Sequence, residues 1–217
     1  MNDTIEERAA TALIAATSAG PEVLERLHDK LDEAAARERI LDVAYTMIDT
    51  PIGSLLLAAT EKGLVRVAFA SEDHDKVLIV LATKLSPRIL RAPKRLDDAA
   101  REIDQYLAGT RKNFDVPLDL SLSSGFRQLV QRHLPDIAYG RTESYAEVAK
   151  LVGNPKAVRA VGSACATNPL PVVVPCHRVV RSDGTLGGYA GGLAVKTALL
   201  QMEAAGRTRT NRHSHRR

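Results

Sequence analysis

Cysteine is scarce in this chain of 217 residues, which has only Cys165 and Cys176. Two thiols are too few for a disulfide scaffold, and they fit a reducing compartment in which one thiol can be reactive. No apolar run approaches the roughly 20 residues that a membrane-spanning helix needs. The acidic N-terminus is not followed by a signal-peptide core, so we expect a cytoplasmic protein without membrane contact.

Charge is unevenly distributed in a composition that is otherwise ordinary for a globular protein, with 45% apolar and 26% charged residues. Residues 1–40 carry a net charge of −4 and residues 41–120 one of −1. Residues 121–206 carry +4 and residues 207–217 carry +5. The basic C-terminal half favours an anionic partner such as nucleic acid, with a solvated basic face as the alternative.

Changes of pattern divide the chain into four segments. Residues 1–40 have helical spacing and no chemical motif, which predicts an accessory helical arm. Residues 207–217 contain five arginines and no apolar residue, which predicts a basic disordered tail, either solvated or binding DNA nonspecifically. Between them lie two domains, at 41–120 and 121–206.

Short alternating runs separated by Gly and Pro turns predict an antiparallel meander in the domain at 41–120. Its acids and histidine are scattered, so we assign it a structural role. The expected strands cover 43–48, 54–59, 64–69 and 113–117, and the expected helices cover 73–85 and 96–108.

Residues 121–206 begin with helices. A capping box at Ser144–Glu147 predicts the start of a short helix. Asn154 and Pro155, as N-cap and first helical residue, predict a second helix that runs to Ala166. Two short helices joined by a tight turn are a helix-turn-helix candidate.

One face of the second helix combines a single cation, Arg159, with small residues such as Gly162 and Ser163. Such a face allows close approach to a bulky partner while the arginine reaches into a groove. The alternative is an exposed face without function.

The most unusual segment is 168–180, where three prolines lead into Cys176-His177. A thiol reacts as thiolate, so an adjacent imidazole indicates an activated nucleophile. The alternatives are a buried, inert cysteine and the nucleophile of a cysteine hydrolase. Five glycines at 184–192 then indicate close backbone approach, as in a pocket wall, before a final helix at 193–203.

In this order and spacing, these motifs resemble the O6-alkylguanine-DNA alkyltransferases. The residues that carry the resemblance are Ser144-Tyr145, Gly153-Asn154-Pro155, Arg159-Ala160-Val161-Gly162, Asn168, Pro175-Cys176-His177-Arg178-Val179, Gly187–Gly192, Lys196 and Glu203. The resemblance implies an α+β fold. It consists of a small N-terminal antiparallel-sheet domain, RNase H-like, and a mainly helical, winged helix-turn-helix-like C-terminal domain.

The resemblance also implies a reaction, in which an alkyl group is transferred from O6-alkylguanine in a flipped-out DNA nucleotide. O4-alkylthymine is a second candidate substrate. Cys176 would accept the group in a single turnover. His177 would act through a water as base, Glu203 would orient it, and Asn168 would hold the active-site turn. Tyr145 would crowd the phosphate and donate a proton to the flipped guanine.

The same family implies how DNA is bound. Arg159 would fill the gap left in the duplex, beside Gly162 and Ser163. Asn154 and Ser182 would contact the DNA backbone. The carbonyls of Cys176 and Val179 and the N–H of Ala190 would read the base edge, in a pocket that also contains Gly187 and Tyr189.

The expected partner is double-stranded DNA containing O6-alkylguanine, bound by a monomer without cofactor or metal. No cysteine precedes Cys165, which excludes the Cys-ligated zinc site that some relatives carry in the N-terminal domain. Gln131 stands where many relatives have Trp, and Ala190 where some have Ser. The alternative function is a noncatalytic module that binds alkylated DNA or regulates other factors.

Overall fold

A computed structural model describes residues 41–214, together with Gly20, Val23 and Arg26, and side chains as far as Gly206. The arm expected at 1–40 therefore lies almost wholly outside the described residues. Strands β1 (Val43–Thr50), β2 (Gly53–Thr60) and β3 (Gly63–Phe69) form the predicted antiparallel meander. Gly63 is at φ +134°, and an added Cβ there would lie 2.2 Å from the Pro117 carbonyl oxygen.

The sheet is mixed, which corrects the expectation of a purely antiparallel one. A fourth strand, β4 (Ile89–Arg91), pairs in parallel with β1 and gives the order β3-β2-β1-β4. Three residues are too few to show an alternating pattern, so the sequence did not predict it.

The strand expected at 113–117 is wrong. An isolated parallel bridge joins Leu64 and Leu118 instead, and the Leu64 N–H donates to the Pro117 carbonyl at 2.8 Å. Proline has no N–H to continue a ladder, so the segment crosses the sheet edge and leaves it.

Two helices of the N-terminal domain pack on opposite faces of the sheet. The helix α1 (His74–Lys84) buries Val77 and Leu81 against one face. The helix α2 (Asp97–Leu107) buries Ile103 and Tyr106 against the other. Both helices match their predicted positions. The second face also packs on the C-terminal domain, so one apolar core extends through both domains.

Three helices pack together in the C-terminal domain: α3 (Gly125–His133), α4 (Tyr145–Leu151) and α5 (Val158–Ala166). The predicted capping box is present, since the Ser144 hydroxyl accepts from the Glu147 N–H at 3.1 Å and the Glu147 carboxylate accepts from the Ser144 N–H at 2.6 Å. The helix-turn-helix pair is thus α4 and α5.

The predicted start of α5 at Pro155 is wrong, because the helix begins at Val158 with Ala157 as N-cap. The Ala157 N–H donates to the Asn154 carbonyl at 2.9 Å, so residues 154–157 form a turn. Gly153, at φ +81°, reverses the chain before them, and the turn uses the backbone groups that a longer helix would need.

Two further elements complete the domain. Strands β5 (Glu143–Ser144) and β6 (Val179–Val180) form a short parallel pair. The last helix, α6 (Gly192–Ser214), runs past its predicted end and through most of the segment at 207–217 that was expected to be disordered. No proline interrupts 193–214 and arginine is a good helix former, which explains the difference. Among the described helices none is long and apolar enough to cross a membrane.

Candidate active site

The turn that carries Cys176 is tied to the end of α5 by Asn168. The Asn168 amide nitrogen donates to the Val174 carbonyl at 2.8 Å and to Cys176 Sγ at 3.2 Å. Its amide oxygen accepts from the Leu170 N–H at 3.1 Å. One buried side chain therefore holds both the loop and the sulfur, as the hinge role implied by the resemblance requires.

Backbone strain is present in the same loop. Val172 is fully buried and has φ +73°, a conformation that is an outlier for a β-branched residue. Such conformations cost of order 1–3 kcal/mol and persist where the surroundings hold them in place. The proline-rich segment that leads to Cys176 is therefore fixed by tertiary packing.

Cys176 is a neutral thiol in this environment. Cys176 is the first residue of a 3-10 helix, Cys176–Arg178, and only 3% of its surface is exposed. Burial raises the pKa of the Cys176 thiol to about 11, although the hydrogen bond from Asn168 and the charge of Lys196 oppose this shift. The sulfur needs a base before it can act as a nucleophile near neutral pH.

His177 is suited to be that base. It is fully buried, and burial lowers its pKa although Glu203 opposes the shift, so the imidazole is neutral near pH 7. Its Nε2 lies 3.0 Å from Glu203 Oε1. Its Nδ1 is buried and has no hydrogen-bond partner among the described residues.

Glu203 on α6 is an ionised carboxylate despite complete burial. Burial would raise its pKa, but hydrogen bonds from His177 and Arg178 outweigh it and lower the pKa to about 2. The Arg178 guanidinium donates to both carboxylate oxygens at 2.9–3.1 Å, and the Gly140 N–H donates to Oε2 at 2.8 Å. The carboxylate is therefore fixed in position and charge.

The glycine-rich segment packs against aromatic rings, as close backbone approach predicts. An added Cβ at Gly187 would lie 2.1 Å from the Tyr145 hydroxyl oxygen, and one at Gly191 would lie 2.7 Å from the Phe69 ring. Tyr189 makes edge contacts with Phe69 and His177, with ring centroids 5.7 and 6.2 Å apart. No side chain larger than hydrogen fits at either glycine without movement.

Tyr145 is half-buried at the first turn of α4. Burial raises the pKa of its hydroxyl, with further contributions from Cys165 and Cys176. The phenol is therefore protonated and able to donate a hydrogen bond.

The other predicted pocket residues are divided. Ala190 lines a cleft of about 430 Å³ between the two domains, together with Asn168. Val179 is fully buried, and its carbonyl accepts from Lys196 Nζ at 2.7 Å. Neither Cys176 nor Tyr145 lines that cleft.

The residues predicted to bind DNA lie on exposed parts of the C-terminal domain. Arg159 and Ser163 are exposed on α5, and a Cβ added at Gly162 would meet no atom within 4 Å. Asn154 is exposed in the turn before α5, and Ser182 in the loop after β6. This face of α5 is open, as approach to a bulky partner requires.

Comparisons with known proteins cover both domains. The model of the 6-O-methylguanine DNA methyltransferase ribonuclease-like domain matches residues 43–120, and that of the DNA binding domain matches residues 125–205. The methylated-DNA–protein-cysteine methyltransferase of Methanosarcina acetivorans is 40% identical over 161 residues, which are 74% of this chain and 98% of that protein. The constitutive enzyme of Bacillus subtilis is 40% identical over 161 residues, covering 73% and 94%.

A solved structure agrees with these sequence matches. The crystal structure of Mycobacterium tuberculosis OGT in complex with DNA matches with a TM-score of 0.66 and 37% identity, over 75% of this chain and 94% of that one. The chain belongs to the methylated-DNA–protein-cysteine methyltransferase family. The expected family and α+β fold class are therefore confirmed.

Three buried residues of this methyltransferase contact the site although no role was predicted for them. They are Tyr106, whose hydroxyl donates to Glu203, Arg178, which binds Glu203, and Lys196, which binds the Val179 carbonyl. Arg178 and Lys196 belong to the motifs that carry the resemblance, and a cation beside a reactive Cys-His pair is itself a signal. Tyr106 belongs to none of these motifs. Its partner Glu203 lies 97 positions away along the chain, so no local pattern could indicate the contact.

The described residues contain no group of three or more His, Cys, Asp or Glu side chains that could hold a metal ion. The hydrogen-bonded groups around Cys176 are thiol, amide, imidazole, carboxylate, phenol and guanidinium. Such a set can move a proton, stabilise a thiolate and present a sulfur to an electrophile.

Proposed function

We propose that this protein repairs alkylated DNA by transferring the alkyl group of O6-alkylguanine to Cys176. Family membership supports transfer to a protein cysteine, since the relatives are named methylated-DNA–protein-cysteine methyltransferases. The observation that supports Cys176 as the acceptor is its sulfur, held by Asn168 beside the His177–Glu203 pair. The other cysteine, Cys165, lies on α5 with a pKa raised by burial to about 12.

Activation of the thiol begins at His177. The carboxylate of Glu203 accepts a hydrogen bond from the Nε2–H group of His177, which leaves Nδ1 as the basic nitrogen. This nitrogen takes the proton of the Cys176 thiol through a bridging water, and the amide of Asn168 and the charge of Lys196 stabilise the thiolate. The neutral state of buried His177 supports this role, because an imidazolium could not accept a proton.

Transfer is a displacement at carbon. A bond forms between Cys176 Sγ and the alkyl carbon while the bond from that carbon to guanine O6 breaks. The electron pair stays on the guanine, where the Tyr145 hydroxyl meets the developing charge at O6 as a placed donor. The product at Cys176 is a thioether, for which the described residues offer no release chemistry, so each molecule acts once.

The base has to leave the duplex before it meets the sulfur, which costs a few kcal/mol of stacking and pairing. Arg159 fills the gap, and the small residues Gly162 and Ser163 let α5 approach the DNA. Asn154, Ser182 and Tyr145 contact the backbone around it. The open face of α5 supports this placement.

Base recognition uses main-chain groups. The carbonyls of Cys176 and Val179 accept from the guanine edge and the Ala190 N–H donates to it, beside Gly187 and Tyr189. The proposed partner is therefore double-stranded DNA with O6-alkylguanine, met in the cytoplasm by a single chain that uses no cofactor. The alternative, a noncatalytic module that binds alkylated DNA, would not need a thiol at position 176.

The deciding experiment is intact-mass measurement after incubation with duplex DNA containing O6-methylguanine. The wild-type protein is expected to gain one methyl group, on the peptide that contains Cys176. Cys176→Ser should abolish the gain, because an alcohol is far less acidic than a thiol and a poorer nucleophile toward an alkyl carbon, while binding of the damaged duplex persists.

Cys165→Ala is the matched control, since it removes the other buried thiol and should leave the gain intact. A methyl group on the Cys176→Ser protein would falsify the assignment. Binding of the damaged duplex by the wild type without any mass gain would favour the noncatalytic module.

A further inference from the structure

Tyr106 brings the N-terminal domain into the site around Cys176. It lies on α2 and its side chain is fully buried. Its hydroxyl donates a hydrogen bond to Glu203 Oε1 and lies 3.1 Å from His177 Nε2. One phenol thus contacts both partners of the proton-accepting pair, although neither belongs to its own domain.

Packing fixes this phenol independently of its hydrogen bonds. Its ring lies 5.1 Å from the ring of Phe114 and 6.1 Å, edge on, from that of Tyr139. These contacts hold the ring in place on two sides, so the position of the hydroxyl is set before any DNA arrives. Burial raises the pKa of Tyr106, and the neighbouring charge of Glu203 adds to the shift, so the group remains a protonated donor.

The direction of the hydrogen bonds fixes the state of the imidazole. Ionised Glu203 can only accept, so both Tyr106 and His177 Nε2 must present protons to it. The phenol donates its single hydrogen bond to Glu203, and its oxygen then presents lone pairs toward Nε2. A proton on Nε2 is favoured by both neighbours, and Nδ1 is left as the free base.

We propose that Tyr106 is a positioning residue for alkyl transfer, because its hydroxyl holds His177 in the tautomer that is protonated at Nε2 and basic at Nδ1. The inference rests on the proposed function and deepens it. The ribonuclease-like domain then supplies part of the machinery that activates Cys176, beyond the structural role expected from its sequence.

The test compares Tyr106→Phe with wild type in single-turnover methyl transfer, with protein in excess over O6-methylguanine duplex. The phenylalanine keeps the ring contacts and removes only the hydroxyl. We expect the transfer rate to fall about tenfold, the size of one net hydrogen bond, with the affinity for DNA unchanged.

Tyr139→Phe is the matched control. It also removes one hydroxyl from a ring next to Tyr106, but that hydroxyl has no hydrogen-bond partner among the described residues. Its rate should stay within about twofold of wild type, well under the change expected for one net hydrogen bond. Equal losses in the two variants would overturn the role of Tyr106, because they would indicate a general effect on packing.

The pH profile separates positioning from stability. The groups that act on His177 come from several elements: Tyr106 on α2, Glu203 and Lys196 on α6, Arg178 in the adjacent turn, and Tyr189 in the glycine-rich segment. Without the phenol's proton, Glu203 attracts an imidazolium more strongly. The low-pH limb of the rate profile should move up by about half a pH unit in Tyr106→Phe, and an unmoved limb would count against the proposal.

A measurement on the wild type keeps the inference testable even if the variant folds poorly. Nitrogen-15 spectra of histidine-labelled protein, with His177 assigned by comparison with His177→Gln, should show Nε2 protonated and Nδ1 bare. The opposite tautomer would overturn the proposal.

Failure of this inference can be told apart from failure of the proposed function. If the wild type transfers no methyl group to Cys176, both are overturned. If it transfers, and Tyr106→Phe has the wild-type rate and pH profile, the role of Tyr106 alone is overturned.

Discussion

At the scale of single residues, the site is organised around one buried carboxylate. Glu203 accepts from the imidazole of His177, the guanidinium of Arg178, the phenol of Tyr106 and the N–H of Gly140. A buried carboxylate with this many donors remains charged, and breaking one partner of such a cluster leaves the others unpaired. The residue therefore stabilises the fold as well as orienting His177.

Acid should destabilise the protein in two steps. The pKa of Glu203 is lowered from 4.5 to about 2, so its stabilising contribution is complete above pH 4.5 and is lost as the pH falls toward 2. The pKa of His177 is also lowered, from 6.5, so a first loss begins below pH 6.5. Urea unfolding at a series of pH values should show up to about 3 kcal/mol lost in the lower step.

The variant Glu203→Gln tests which group causes the lower step. It should be less stable than the wild type above pH 4.5, because Arg178 loses its counter-ion, and this deficit should shrink as the pH falls toward 2. Its own unfolding free energy should change little between pH 4.5 and 2 beyond what other carboxyl groups contribute. A slope as steep as that of the wild type would mean that other carboxyl groups are responsible.

The sequence predicts the reacting residues better than the residues that hold them in position. Cys176, His177 and Asn168 lie within ten positions of each other, and the order of motifs indicates the family. The phenol of Tyr106 and the bond from Lys196 to the Val179 carbonyl depend on contacts between distant segments. No periodicity or spacing contains that information, because these contacts form only when the chain folds: those of Tyr106 join the two domains, and that of Lys196 joins α6 to β6 within one domain.

At the scale of elements, boundaries that depend on local chemistry were predicted and those that depend on tertiary contacts were not. The capping box fixes the start of α4 from four neighbouring residues. In contrast, β4 has three residues and exists because β1 offers it a free edge. The start of α5 moved to Val158 because a turn competes for the backbone groups of residues 154–157.

The open face of α5 leads to a prediction for Arg159. Arg159→Ala should lower the single-turnover rate with O6-methylguanine duplex by about tenfold, because the gap left by the flipped nucleotide is no longer filled. The rate with free O6-methylguanine base should change by less than about twofold, since free base needs no extrusion.

Arg132→Ala, on α3, removes the same charge from another exposed position and is the control. Equal losses on duplex and on free base in Arg159→Ala would argue against a role in extrusion.

At the scale of the whole molecule, the two domains share one core and one site. The face of the sheet that carries Leu55 and Leu57 is continuous with the C-terminal core around Val148 and Val161. Tyr106 joins the same interface to Glu203. The net positive charge, however, is concentrated in the C-terminal half, which also carries the helix-turn-helix pair.

The basic segment 207–217 should contribute to the salt dependence of DNA binding. Its five arginines can each neutralise a phosphate, so deleting the segment should reduce the slope of log K against log salt by up to about 4. A full-length variant with these arginines replaced by glutamine should match the deletion, which separates charge from length. An unchanged slope in both would mean that the segment does not contact DNA.

The two-residue pairing of β5 with β6 has a consequence for the order of events on DNA. Glu143 and Ser144 pair with Val179 and Val180 as parallel strands. This pairing connects the start of α4, which bears Tyr145, to the turn that bears Cys176. The Tyr145 hydroxyl and the Cys176 sulfur are therefore held at a fixed separation. In the proposed reaction the flipped nucleotide therefore makes all of the movement, because these two protein groups do not move toward it. A lesion whose alkyl group is too large for the space between Tyr145 and Cys176 would be left unrepaired.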